Sequence, residues 1–147
     1  MKSIFDKTTR DELISRIYML NENSRAQWGK MNINQMVKHC RLWEEMILGK
    51  KKYKRAFIGR LFGKMALKNA IKDEKPMMRN ALTVPELRIS ENANFSSERM
   101  RWISLIEEHE YISNPDFVHP FFGKMTMEQI GYHAYKHTDH HLRQFNC

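Results

Sequence analysis

The stretch TMEQIGYHAYKHTDHHLRQF, residues 126–145, carries the clearest structural signal in the chain. Thr126 and Gln129 have the spacing of a capping box, in which each side chain accepts a hydrogen bond from the other residue's backbone at a helix start. Met125 and Ile130 occupy the positions of a hydrophobic staple around that start. The sequence therefore predicts one long helix that occupies the whole stretch.

The same stretch holds four of the 7 histidines, within nine consecutive positions. His137 and His141 are four residues apart, so on a helix they share a face and can take adjacent positions around one metal ion. His133 with His137, or His137 with His140, has a spacing that reaches a common ion as well. An ordinary helix face with solvated or hydrogen-bonded histidines is the alternative that the pattern leaves open.

A third ligand has to come from another helix, and the sequence offers a candidate. Asn32 and Gln35 form a second capping-box pattern, and the apolar periodicity that follows continues to Gly49, which predicts a helix end. His39 lies on the face of this helix that should point inward. Three neutral imidazoles with an open coordination position are typical of a reactive metal site rather than a closed structural one.

Two further long helices are predicted, and no stretch has the alternation of a strand. The first begins near Thr9, which has capping-box spacing with Glu12. The other is capped by Ser96 and Ser97 and ends at Asn114 and Pro115. The residues expected to face inward on these two helices are Leu13, Ile17, Leu20, Met100, Ile103, Ile106 and Tyr111.

The segment GKKKYKRAFIGRLFGKMALKNAIK, residues 49–72, holds much of the basic excess of a chain with net charge +8 and pI about 9.6. We expect a shorter helix here, with its charges solvated and phosphate or membrane binding as the lesser alternative. A long irregular connection, residues 75–94, should follow. The side chains expected to be buried on the short helix are Phe57, Ile58, Leu61, Phe62 and Met65.

The chain length of 147 residues and the composition bound the fold. One domain over residues 1–147 is expected, all-α, with four main helices, a long crossover connection and a short additional helix. The sequence has no apolar run long enough for a membrane span and no secretory signal pattern, so a cytoplasmic protein is expected. Its two cysteines are expected to be free thiols.

Three segments, KMNINQMVKHCRLWEEMILG, HPFFGKMTMEQIG and YKHTDHHLRQF, in that order resemble the DinB-like superfamily of metal-binding four-helix bundles. The resemblance covers nearly the whole chain and points to a branch of unassigned function. It implies a divalent metal on His39, His137 and His141, the set also favoured by periodicity. Zinc or nickel is the expected ion, with iron, manganese and copper as alternatives.

The resemblance also implies a class of chemistry. Characterised relatives transfer a low-molecular-weight thiol, so a metal-dependent thiol S-transferase, or a hydrolase of small molecules, is expected. The alternative is a non-catalytic metal-binding or interaction module. Relatives often end the motif His-His-Arg-Gly-Gln, whereas this chain has His140-His141-Leu142-Arg143-Gln144, so the substrate-side chemistry differs. Catalytic residues stay unassigned; a homodimer is expected, and neither nucleic acid nor membrane is an expected partner.

Other candidate residues have a structural interpretation beside a functional one. Trp43 is expected in the core, with a wall of the site as the alternative, and His119 in a turn, with a pocket mouth as the alternative. His133 and His140 are expected at surface or edge positions, with a hydrogen bond to the metal ligands as the alternative. Cys40 should point away from His39, because adjacent helical residues differ by about 100°. The carboxylates that are candidates to orient a ligating imidazole are Glu44, Glu128 and Asp139.

Overall fold

The computed structural model describes residues 1–81, 83–91, 93–112, 114 and 116–147. This part of the chain is mostly helical, as predicted, but a short antiparallel hairpin, with two residues in each strand, contradicts the expectation that no strand would form. The irregular connection also contains one 3₁₀ turn, Pro85–Leu87. The helices and strands are α1 (Lys7–Met19), α2 (Ile33–Ile47), α3 (Phe57–Ala70), α4 (Phe95–Glu108), β1 (Val118–His119), β2 (Gly123–Lys124) and α5 (Met127–Gln144).

The two helices that carry the histidines begin as the sequence predicts. Asn32 caps α2 and Thr126 caps α5, and in both cases the reciprocal side-chain bonds with Gln35 and Gln129 are present. Each box satisfies two backbone N–H groups that a helix start would otherwise leave without a partner. The chain then turns at Gly49, which adopts a φ of 76° just after α2.

The predicted capping box at Thr9 is wrong, because α1 begins at Lys7 and Thr9 is buried inside it. Asp6 is the N-cap residue and makes no side-chain capping bond. The earlier start is held instead by the guanidinium group of Arg10, which donates to the carbonyl oxygens of Ile4 and Phe5. The predicted inward residues of α1, Leu13, Ile17 and Leu20, are all buried.

Helix α4 also begins earlier than predicted. Asn94 is its N-cap, and the Asn94 side chain accepts a hydrogen bond from the backbone N–H of Ser97 at 2.9 Å. Asn is among the strongest N-cap residues, which explains why the serines lie inside the helix. Of the residues predicted to face inward, Ile103 and Ile106 are buried. Met100 is half-exposed, and Tyr111 lies exposed beyond the helix end, so the prediction is wrong for these two. Pro115, one of the two predicted stops, lies outside the described residues.

Four of the helices pack around a common core. Helices α1 and α2 each pack against both α4 and α5. Fully buried side chains from these helices fill the space between them, including Ile17, Met36, Trp102 and Ile106. Because α2 and α5 are neighbours, the arrangement brings His39 near the histidines of α5.

Helix α3 packs outside this core and contradicts the sequence prediction. Its buried residues are Gly59, Gly63 and Leu67. An added Cβ would lie 2.4 Å from the carbonyl oxygen of Phe121 at Gly59, and 2.2 Å from it at Gly63, so the glycines permit this close contact. The opposite face points to solvent. The side chains predicted to be buried there are exposed instead, by 51–75%: Phe57, Ile58, Leu61, Phe62 and Met65.

One buried polar network joins three helices at the centre of the protein. His109, directly after α4, donates from Nε2 to the Oε2 atom of Glu44 on α2 at 2.7 Å. Thr138 on α5 donates to the other oxygen of the same carboxylate at 3.3 Å. The two side chains of the His–Glu pair are 0% and 1% exposed, so this network is fully removed from water. None of the described helices is long and apolar enough to cross a membrane.

Candidate metal centre

Helices α2 and α5 bring the three predicted ligands together. His39 comes from α2, and His137 and His141 lie one turn apart on α5. Each offers one ring nitrogen, and these three atoms lie within 4.8 Å of one another. The Nε2 atoms of His39 and His137 are 3.1 Å apart. The set predicted from the sequence is therefore the set that the fold assembles.

Two of these rings are oriented by hydrogen bonds on their far side. The Nδ1 atom of His39 lies 2.8 Å from the carbonyl oxygen of Leu87, in the 3₁₀ turn. The Nδ1 atom of His141 lies 2.9 Å from Oε1 of Gln144. An oxygen acceptor fixes the proton on Nδ1 and leaves the Nε2 lone pair free toward the cluster. Both rings are thus held in the tautomer that a metal ligand needs.

The side chain of Gln144 is itself fixed by the segment before α2. Its Nε2 atom donates to the carbonyl oxygen of Trp28 at 2.8 Å. The next residue, Gly29, has a φ of 82°, and an added Cβ there would lie 2.6 Å from Nε2 of Gln144. Glycine at position 29 therefore permits both the positive φ of this turn and the close approach of the Gln144 side chain. The guanidinium group of Arg79 lies 4.2 Å from the centre of the Trp28 ring and covers it.

Burial keeps the three imidazoles neutral. His39, His137 and His141 are 3%, 8% and 7% exposed. Loss of hydration lowers the pKa of His39, and lowers the pKa of His137 and of His141 well below the ordinary value. The mutual repulsion of the rings adds to this effect for His137 and His141. All three are therefore in the unprotonated form that binds metals at neutral pH.

Aromatic side chains enclose the cluster on the other side. Trp43 stacks on His137, with ring centres 4.2 Å apart and planes at 14°. His133 lies against both Trp43 and Phe122, and burial lowers its pKa to about 4. The expectation that His133 is a surface residue is wrong; it is 3% exposed, and neither ring nitrogen has a partner among the described residues. His140 is partly buried with its ring edge near Trp28, as expected of an edge position.

None of the three candidate carboxylates orients a ligand. Glu44 binds His109 and Thr138, as described above. Asp139 accepts hydrogen bonds from Arg16 and from Arg143, and Glu128 accepts one from the hydroxyl group of Tyr132. The atoms that orient the imidazoles are the Leu87 carbonyl oxygen and the Gln144 amide. The sequence contained a signal for Gln144, which lies three residues after His141 on one helix face, but none for a loop carbonyl.

Of the two remaining candidates, only Cys40 lies as expected. His119 was expected in a turn, but it is the buried last residue of β1, and its Nδ1 atom accepts hydrogen bonds from the backbone N–H groups of Phe121 and Phe122, at 3.1 and 3.2 Å, in the turn that follows. The sulfur of Cys40 lies 3.6 Å from that of Met36, and Cys40 is not part of the histidine cluster.

The donor set fits a divalent metal ion. Zinc binds imidazole at about 2.0–2.1 Å, so two nitrogens on a tetrahedral ion lie about 3.4 Å apart. The ring nitrogens of the cluster, 3.1 Å apart for one pair and within 4.8 Å for all, span that separation. Two of the lone pairs are already directed inward by Leu87 and Gln144.

The fold and this cluster define a mostly helical protein with a possible three-histidine metal site. Residues 3–147 match the family model described as "Protein of unknown function (DUF1569)", and the chain belongs to this family. No curated protein matches the chain, and no solved structure matches it.

Proposed function

We propose that this protein binds one divalent metal ion on His39, His137 and His141 and acts as a metal-dependent enzyme on small molecules. The single observation that carries the proposal is the convergence of three neutral ring nitrogens in a buried cluster. Imidazole is a ligand for zinc, nickel, iron and copper, and zinc or nickel is the ion that we propose. The proposal includes a DinB-like four-helix arrangement of α1, α2, α4 and α5, which is supported by their mutual packing.

The residues of this chain have separate parts in the proposed site. Leu87 and Gln144 hold two rings with their Nε2 lone pairs inward. Trp43 covers one face of His137 and limits the access of water. Three protein ligands leave a coordination position open. When bound, a divalent ion supplies Lewis acidity there, which lowers the pKa of a protic ligand such as water or a thiol.

The proposed reaction class is thiol transfer, with hydrolysis as the adjacent possibility. The resemblance to the DinB-like superfamily supports transfer of a low-molecular-weight thiol. The net charge of +8 supports an anionic substrate, because a basic surface attracts anions and raises the rate of encounter. No residue of the described chain is assigned as a general base.

A non-catalytic metal-binding module is the second candidate, and burial of the site favours it. The ligands are at most 8% exposed, and Trp43 lies flat on one of them. Such a site suits a sensor or a structural ion, since a substrate would need the surrounding segments to move. The two candidates share the metal and differ in turnover.

The first experiment is metal content by elemental mass spectrometry on protein without a histidine tag. We expect about one equivalent of divalent metal in the wild type and none in His39→Ala, His137→Ala or His141→Ala. His140→Ala is the matched control, because it removes a neighbouring histidine outside the cluster and should retain the ion. A wild type that stays metal-free after incubation with zinc or nickel would overturn the proposal.

A second variant tests the orientation of the ligands. Gln144→Leu removes the acceptor at Nδ1 of His141 but leaves all three imidazoles in place. Loss of such a supporting bond typically weakens metal affinity by about 10- to 100-fold. A competition titration with a zinc chelator measures this change. Unchanged affinity would mean that the Gln144 contact plays no part in binding.

The third experiment separates the two candidate functions. Metal-loaded protein is screened for transfer of low-molecular-weight thiols to electrophiles and for hydrolysis of activated esters and amides. Turnover that is lost in His137→Ala and kept in His140→Ala supports the enzyme. Stoichiometric metal without turnover in any assay supports the non-catalytic module.

A further inference from the structure

Helix α3 carries a large apolar surface that faces solvent. Phe57, Ile58, Leu61, Phe62 and Met65 are exposed by 75, 62, 66, 51 and 61%. Their spacing places all five on one side of the helix, because residues three and four apart share a face. Monomeric proteins rarely expose contiguous apolar patches of this kind unless they bind something.

The protein's own fold does not cover this surface. The buried residues of α3 are Gly59, Gly63 and Leu67, on the side opposite to the apolar one. The glycines hold the helix against the carbonyl oxygen of Phe121, so α3 cannot rotate its apolar side inward without losing that contact. The apolar side is therefore the outer side of the assembled protein.

The charge around the apolar surface has a single sign. Every charged residue from 50 to 72 is basic. Arg60, Lys64 and Lys68 follow one another at intervals of one turn, all exposed, along one edge of the apolar side. Two lysines before the helix are paired with acidic residues elsewhere, namely Lys50 with Glu108 and Lys51 with Glu45. Within the row on the helix, Lys64 donates to the carbonyl oxygen of Lys124, whereas the exposed Arg60 and Lys68 side chains make no ion pair among the described residues and can meet a partner.

We propose that α3 is a docking surface for an anionic phospholipid bilayer. A helix with Phe, Leu and Ile on one side and Lys and Arg beside them lies flat in the headgroup region and buries its apolar side among the acyl chains. At 14 residues, α3 is about 21 Å long, which fits such an interfacial position and is too short to span. The proposal reverses the sequence-based expectation of no membrane partner.

Charge distinguishes the bilayer from the competing occupants. A second copy docked through α3 would bring two basic surfaces together, which is unfavourable. Nucleic acid matches the charge but gives no burial for five large apolar side chains. An anionic bilayer satisfies both features at once, since lipid phosphates pair with the basic row and acyl chains receive the apolar side.

The test is co-sedimentation of the full chain with vesicles of phosphatidylcholine and phosphatidylglycerol in equal amounts, and with vesicles of phosphatidylcholine alone. We expect binding to the anionic vesicles to be at least tenfold stronger. The double variant Ile58→Gln/Leu61→Gln, and separately Arg60→Gln/Lys68→Gln, should each weaken it at least tenfold. Since all four side chains are exposed, circular dichroism should show an unchanged fold.

Matched controls and a measurement of association state decide between the outcomes. Met19→Gln removes an equally exposed apolar side chain on α1, and Arg25→Gln an exposed charge, and both should bind like the wild type. Equal loss in the controls, or no loss in the α3 variants, would show attraction by net charge alone and overturn the proposal. The absence of vesicle binding would also overturn the proposal. Light scattering would then show whether the chain is a monomer or a dimer that Ile58→Gln/Leu61→Gln dissociates.

Discussion

The buried contact between Glu44 and His109 allows a sharp test of the core. We consider Glu44→Leu and His109→Phe, each of which replaces one polar side chain by an apolar one of similar shape. Either change leaves the other member without its partner in a place where both are at most 1% exposed. The double variant removes both polar groups together, and Thr138 can then turn its hydroxyl group to a carbonyl of its own helix.

Removal of one partner from a buried hydrogen bond costs about 1–3 kcal/mol, because the remaining group stays desolvated without that partner. For a chain of this length 1 kcal/mol corresponds to about 3 °C in Tm, so each single variant should unfold about 3–9 °C lower. Replacement of both partners by apolar groups is often close to neutral. The double variant should therefore be at least about 1 kcal/mol more stable than the sum of the single losses predicts.

The free energies of unfolding are measured by urea denaturation, with thermal melts followed by circular dichroism. Glu107→Gln is the control, since Glu107 is exposed on α4 near the same pair and should change the stability by less than about 0.5 kcal/mol. Single losses below about 1 kcal/mol, or a double loss equal to their sum, would refute the view that this pair links the helices.

Three further predictions concern single residues. Burial lowers the pKa of His133 from 6.5 to about 4, so the unfolded chain binds a proton that the folded one does not, and stability falls as pH drops below 6.5. By pH 4 this contribution reaches about 3 kcal/mol, and urea denaturation across this range should show a shallower pH dependence for His133→Phe. Gly63→Ala should free α3 from Phe121 and speed its limited proteolysis, although alanine favours helix. Asn32→Ala and Thr126→Ala should each lower the free energy of unfolding by about 1 kcal/mol, measured by the same denaturation.

The sequence predicted the histidine cluster because its determinants are local. Capping boxes at Asn32 and Thr126 set the start of α2 and α5, and from there the helical period alone decides which side chains face inward. His39, His137 and His141 fall on those faces, but the pattern left pairings with His133 and His140 open, and the resemblance to the DinB-like superfamily favoured the set that the fold brings together. The cluster also requires that α2 packs against α5, and short-range sequence patterns do not predict which helices pack together.

The prediction failed where small residues or tertiary partners decide the packing. On α3 the period correctly grouped Phe57 and Leu61 on one face, but Gly59 and Gly63 form the contact, because their lack of side chains lets a backbone come close. Hydrophobicity alone selects the face of Phe57 and Leu61 for burial, which is opposite to the glycine face that is buried. His133 was misplaced although the helical period puts it on the face of His137, because its polarity favoured an exposed position, whereas Trp43 and Phe122 surround it.

The position of α3 bears on how a buried site can meet a substrate. Helix α3 rests on Phe121, and the adjacent Phe122 packs on His133, which contacts the Trp43 ring that covers His137. Only three residues of α3 are buried against ten of α2, so α3 has the least to lose on local opening. We therefore expect the amide hydrogens of α3 to exchange faster than those of α2, and entry to the metal centre to occur from the α3 side. If α3 amides exchange as slowly as those of α2, local opening of α3 is not the route of entry, and the covers left to test are the loop at Leu87 and the segment at Trp28 that fixes Gln144.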